Sequence, residues 1–152
     1  MSLFCVIPEL KIGSVIEVSG TSIRVELDGK ITELTRVYQG VVYPIGQFGS
    51  MIKIHYGRTV LLAYVRLLRM RSELEREQGR PVPSAVEDSR IIDADLFGEL
   101  VWFEDQSKID FVRGVKTFPL PGQGVYIVTK QELKHIYEGA QSSQLTKTDK
   151  EE

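Results

Sequence analysis

Thiol and imidazole are scarce in this sequence: Cys5 is the one cysteine, and His55 and His135 are the two histidines, among 152 residues. A lone cysteine excludes an intrachain disulfide and a thiolate metal cluster. No histidine stands near it in sequence to draw off its proton, so the thiol reads as packing or surface and not as a nucleophile. Two histidines without a matching carboxylate pattern leave no metal-ligand signature. Long apolar runs are missing as well. None approaches the ~20 residues of a spanning helix, and the opening MSLFCVIPELK lacks the charged start and long apolar stretch of a secretion signal. The expectation is a cytoplasmic chain without a membrane partner. Nor is there an excess of positive charge. The 19 Lys and Arg stand against 21 Asp and Glu, a net charge of −2, whereas gripping nucleic-acid phosphates needs a basic surplus. A nucleotide cradle is absent too: Gly29-Lys30 is followed by Ile31 where a P-loop has Ser or Thr, and Arg24 stands where its first glycine belongs. No catalytic residue, cofactor or metal is therefore expected in the chain.

What remains is patterning. With apolar residues at 42% and charged residues at 26%, the composition is that of one folded domain with a single core. From Lys11 the pattern has period two. Ile16 and Val18, then Ile23, Val25 and Leu27, fall on one face, with Glu17, Arg24, Glu26 and Asp28 opposite. Gly20 centres a turn between two half-buried strands. Asp28-Gly29 is a dipeptide that favours a tight hairpin, which predicts a meander running on through Lys30 to Val37. Residues 39–57 alternate again, Met51, Lys53 and His55 against Ile52, Ile54 and Tyr56, and carry Gly40, Gly46, Gly49 and Gly57. Glycines at that density mark bends or bulges that curl a sheet towards closure. Residues 59–71 are too densely apolar for periodicity to separate strand from helix, and are read as strand.

Residues 72–88 turn charged and proline-bearing, a surface insertion with a helical turn before Gly79. Strand character returns over 89–106 and through IDFVRGVKTFPLPG. Thr129 to Glu132 fits a capping box, and Leu133, Ile136 and Tyr137 share one face of the helix that follows, which Gly139 stops. The predicted architecture is mainly β: a small closed antiparallel β-barrel of about six strands over 11–139, with a charged insertion and a short C-terminal helix. Residues 1–10 form an extension, and 140–152 have the composition of a tail or linker.

Few groupings carry chemistry. LVWFED, residues 100–105, imitates a Walker B strand, but without a phosphate cradle its acids have nothing to assist. Asp93 and Asp95 fall on one strand face and so form a pair of the kind that ligates divalent metals, although a solvated face is the commoner use of that spacing. Arg66, Arg69, Arg71, Arg76 and Arg80 surround the insertion and are candidate partner contacts. Glu73, Glu75 and Glu77 interleave with them and cancel much of their field. Phe48, Tyr56 and Trp102 are candidate stacking platforms, with core filling as their ordinary role.

The segments IGSVIEVSGTSIRVEL (Ile12 to Leu27), YPIGQFGSMIKI (Tyr43 to Ile54) and FVRGVKTFPLPGQGVYIVTKQELKHIY (Phe111 to Tyr137) resemble the amino-terminal HAS-barrel of HerA-type DNA translocases. That barrel is similar to the one opening the subunits of rotary ATP synthases. The likeness runs from Lys11 to Glu138. It implies a non-catalytic barrel for oligomerisation and docking, in a family of helicase-like ATPases that use ATP and magnesium, assemble as hexamers around DNA, and work with a NurA-type nuclease in DNA end processing and repair. By the same likeness Arg113, Gly114, Pro119, Pro121 and Gly122 form the turn at the junction with the motor, with φ fixed at the two prolines. The matching residues are those of the barrel and not of the motor, so DNA is expected to meet this chain only indirectly. The alternative is a stand-alone OB-like module that binds single-stranded nucleic acid.

Overall fold

The structure, a computed structural model, describes residues 5–29, 31, 33–81, 88–103 and 108–138, with the backbone alone for 102, 103, 108 and 109. In chain order its strands are β1 (Lys11–Ser19), β2 (Ser22–Leu27), β3 (Thr35–Tyr38), β4 (Val41–Pro44), β5 (Met51–Tyr56), β6 (Thr59–Met70), β7 (Arg90–Phe103), β8 (Lys108–Arg113) and β9 (Gly124–Ile127). Helix α1 (Arg71–Glu77) follows β6, and helix α2 occupies 130–138. Six strands run in a circle, β2-β1-β9-β5-β6-β7, and β7 pairs back onto β2 to close it. All of these pairings are antiparallel. The closed antiparallel barrel expected from the alternation and the glycines is what forms. Among the described residues no helix is long and apolar enough to cross a membrane.

The length of β7 sets the plan. Its residues 91–95 pair with β2, and its residues 98–103 pair with β8 along the same edge. β8 is thus an extra strand beyond the circle, and β3 and β4 form a separate ribbon. At the fork stands Gly98. A Cβ there would come within 2.6 Å of the Phe111 ring, so only glycine lets β8 cross so close.

Side chains of alternating parity fill two layers. Inside the barrel lie Ile12, Val15, Ile23, Val25, Ile54, Leu61, Ile92 and Val125, all at most 2% exposed; full burial of each such side chain contributes roughly 1.5–3 kcal/mol. Outside it, Met51, Val60, Leu62 and Leu100 pack under Val128 and Ile136, with Tyr64, Phe97, Phe111 and Leu133 at the margin. β6 is therefore buried on both faces over its first half, which is why its sequence shows an unbroken apolar run instead of an alternation. Of the predicted helix face, Ile136 is buried and Leu133 half-buried, while Tyr137 is 55% exposed. The extension is not loose either: a 3-10 turn at Pro8–Leu10 seats Leu10 fully in the core.

Three local expectations are corrected. The meander does not run on past Leu27: Asp28 begins a turn, Ile31 N donating to Asp28 O, and β3 pairs with β4 instead of β2. The partner of β2 is distant in sequence, and local turn propensity says nothing about it. Ile16 is exposed, because a register shift between Val15 and Glu17 inverts the alternation of β1. Gly40, Gly46, Gly49 and Gly57 all lie in turns between strands, while the shifts that bend the sheet fall at Lys11/Gly13, Val15/Glu17, Leu62/Ala63 and Val65/Leu67.

Gly13 lies where β1 is squeezed between β2 and β9. A Cβ at Gly13 would stand 2.1 Å from the Glu26 carbonyl oxygen, a backbone atom that cannot swing away. Gly13→Ala is expected to lower stability by at least about 2 kcal/mol, as overpacking does. Gly29→Ala, whose Cβ meets open space, should change it by less than about 0.5 kcal/mol. Equal urea midpoints for the two variants would refute this close approach of β1 and β2.

Candidate functional site

β2, β7 and β6 lie side by side and turn one set of side chains outward, Arg24 opposite Asp93 and Ser22 opposite Asp95. The bulge between Val65 and Leu67 re-aims Arg66, whose Nη1 stands 3.1 Å from Asp95 Oδ1; the same oxygen accepts from Ser22 Oγ at 3.0 Å. Past the bulge the alternation of β6 is inverted, so Arg69 faces outward. Its Nη2 lies 3.0 Å from Asp93 Oδ2, and its Nη1 donates to Glu77 Oε2 at 2.8 Å. Asp93 is 5% exposed and held between two guanidinium groups: Arg24 Nε lies 3.3 Å from its Oδ1, an ion pair without hydrogen-bond geometry. Arg24 also donates to Glu17. Arg71 donates to Glu26 at 3.2 Å and approaches Glu75, which Arg80 also approaches.

Of the arginines expected to contact a partner, Arg66, Arg69, Arg71 and Arg80 are thus turned onto the chain's own carboxylates, and the Arg69–Glu77 and Arg71–Glu26 pairs tie α1 to the barrel. Arg76 is exposed on α1. Asp93 and Asp95 do share a face, as their spacing implies, but each is answered by guanidinium groups. No grouping of three or more His, Cys, Asp or Glu able to hold a metal occurs among the described residues. A cleft of about 200 Å³ beside them is lined by Glu17, Ser19, Ser22, Arg24, Arg66 and Asp93. Both arginines lining it are already paired with carboxylates, so it offers a phosphate no uncompensated cation.

The proline-glycine turn, Arg113 to Gln123, lies between β8 and β9, before the last barrel strand and α2. It is fastened at several points. Gly114 N donates to Phe97 O, Gly122 N donates to Val15 O, and Val15 N donates to Gln123 O. Glu99, 4% exposed, accepts from the amides of Lys116 and Thr117 through one oxygen. Its position follows from the shift at Leu62/Ala63. There the alternation of β7 inverts, and Glu99 comes to sit opposite inward-facing Leu61, towards the barrel mouth that the turn crosses. No feature of the sequence distinguishes Glu99 from a solvated strand acid.

A third grouping joins α2 to β5. Lys53 alternates outward from Ile52 and Ile54, yet is only 1% exposed because α2 covers it. Its Nζ donates to Glu132 Oε2 at 2.7 Å, while Glu132 Oε1 accepts from Thr129 N at 3.0 Å and Thr129 Oγ1 accepts from Glu132 N at 3.3 Å. The predicted capping box forms, and its carboxylate also neutralises a buried ammonium. Tyr43 Oη accepts from Lys130 N, which satisfies a further amide of the first turn. His55 lies next along the same face, its ring edge-on to Tyr126 at 5.3 Å and its Nε2 buried without a hydrogen bond among the described residues. Burial, then the Lys53 ammonium, lower its pKa to about 4, against a smaller upward pull from Glu132. The expected alternation of Met51, Lys53 and His55 was the signal for this grouping, but the partner on α2 lies 79 residues away.

Of the aromatic candidates, Phe48 is 85% exposed and Tyr56 packs against the core. The side chain of Trp102, the acids at 104 and 105, the helix stop at 139, the tail at 140–152 and most of the second half of the insertion lie outside the described residues. No family model matches the chain, and no curated protein is significantly similar to it.

Lys53→Met should cost about 3–5 kcal/mol in urea unfolding, because it leaves the Glu132 carboxylate buried without a counter-charge. Adding Glu132→Gln should restore most of that loss; a double variant as unstable as the single one would mean that the pair is not buried. For His55 the folded-state pKa lies below the ordinary 6.5, so the unfolded chain binds the extra proton. Its contribution is complete above pH 6.5 and is lost as pH falls from there towards about 4. His55→Gln should flatten the melting temperature over that window, and an unchanged acid limb would contradict the assignment.

Proposed function

We propose that this chain is a non-catalytic barrel for oligomerisation and partner docking, of the kind the HAS-barrel serves in HerA-like DNA translocases. The observation that carries the reading is the closed barrel itself. Among the described residues its interior is filled with aliphatic side chains, and what it offers other molecules is its outside. The guanidinium groups with which a nucleic-acid binder would hold phosphates are spent internally in the Arg24, Arg66, Arg69 and Arg71 pairs, which favours docking over the OB-like alternative.

On this reading the cytoplasmic partners are further copies of the chain in a hexameric ring and a NurA-type nuclease, with ATP and magnesium handled by a motor domain and DNA met only through the ring. The test is light scattering after size exclusion, with the chain alone and with the NurA-type nuclease of its own genome. A shifted, stoichiometric peak is the expected result. A monomer at every concentration that ignores the nuclease yet binds a single-stranded oligonucleotide in a salt-dependent manner would replace this reading with the OB-like one.

A further inference from the structure

We propose that residues 116–121 are the docking element of this barrel, with Phe118 and Leu120 as anchors for an acidic, apolar peptide segment of a partner protein; this rests on the docking reading above. Phe118 is 45% exposed and Leu120 is 56% exposed, while Pro119 between them is buried. The turn thus throws two large apolar side chains outward on either side of an inward proline.

The backbone beneath these two side chains is held in place. Glu99 takes the amides of Lys116 and Thr117, Gln123 Oε1 accepts from Leu120 N at 2.8 Å, and Gly122 N donates to Val15 O at 2.7 Å. A segment held through the amides of Lys116, Thr117 and Leu120 within its own domain loses little freedom when a partner seats on it, and such pre-organised apolar tips make good anchors.

Charge sets the chemistry of the occupant. Arg113 and Lys116 are the charged residues of the turn, and both are exposed. Neither pairs with a carboxylate among the described residues, in contrast to Arg24, Arg66, Arg69, Arg71 and Arg80. Glu99, the acid that holds the amides of the turn, is buried beneath it. Apolar tips beside unanswered cations are complementary to a segment that alternates Asp or Glu with Leu, Phe or Trp. A bilayer is disfavoured, since two cations are a small attraction for a chain of net charge −2. A nucleic-acid strand is disfavoured by the same deficit.

The probe is a random-peptide display library panned against the immobilised full chain, followed by anisotropy titrations of the enriched peptides. Enrichment of acidic, apolar peptides is expected, with affinity falling at least about tenfold in Phe118→Ser and in Leu120→Ser and falling again at high salt. Both side chains are exposed, so the urea midpoints of these variants should match the parent chain. No enrichment, enrichment of basic peptides, or equal binding by the double variant overturns the proposal. So does Phe118-dependent binding to vesicles of equal parts phosphatidylcholine and phosphatidylserine, or Phe118-dependent self-association in sedimentation. If peptides bind the double variant undiminished, the docking reading survives and this surface falls. If nothing binds and the chain forms no assembly with itself or the nuclease, both fall.

Discussion

Ser22 to Glu26 of β2 hydrogen-bond to Asp95 to Ile91 of β7, and the rest of the molecule depends on that ladder. Without it the sheet is an open ribbon with two long unpaired edges, and Ile23, Val25, Ile92 and Ala94 face water instead of one another. With it, both edges vanish from the barrel proper, which removes the usual template for non-native strand pairing. The ladder also forces the fork: β2 takes only the first part of β7, so the remainder needs another partner, and β8 supplies it. Because β8 then ends far from β9, the chain must cross the barrel mouth, and Arg113 to Gln123 is that crossing. The position of the proline-glycine turn is thus a consequence of closure.

Electrostatics follows the same geometry. Closure brings β2, β7 and β6 edge to edge, and their outward acids and bases neutralise one another in rows, Glu17-Arg24-Asp93-Arg69-Glu77 and Ser22-Asp95-Arg66. Individually, exposed pairs of this kind contribute little. Asp93, buried between two guanidinium groups, is the exception. Lys53 and Glu132 are charges drawn out of water by the docking of α2, and they are tolerated because each carboxylate oxygen has its own donor. Arg113 and Lys116 at the turn stay exposed without a carboxylate partner among the described residues, as does Arg76 on α1.

Much of the architecture was legible locally. Alternation over β2 and β5, the capping box at Thr129 and Glu132, the helical turn ahead of Gly79 and the strand reading of β6 rest on contacts within a few residues, and the structure has them. The failures share one cause. Ile16 and the supposed hairpin at Asp28-Gly29 were read by extending a local period, and a bulge or a remote partner strand overrode it. The candidate arginines were visible, but their partners were not: Arg24 and Asp93, or Arg66 and Asp95, are joined only by the sheet. The burial of Lys53 and Glu99 was not legible, since covering by a helix or a loop from elsewhere leaves no mark on a strand's own pattern.

The sequence by itself determined which segments extend and where the chain turns, because those properties follow from side-chain period and φ preference. The tertiary structure alone decided which strand lies beside which, which charges are spent on each other, and which apolar side chains stay outside. These depend on pairings between residues that only closure of the barrel brings within hydrogen-bonding distance.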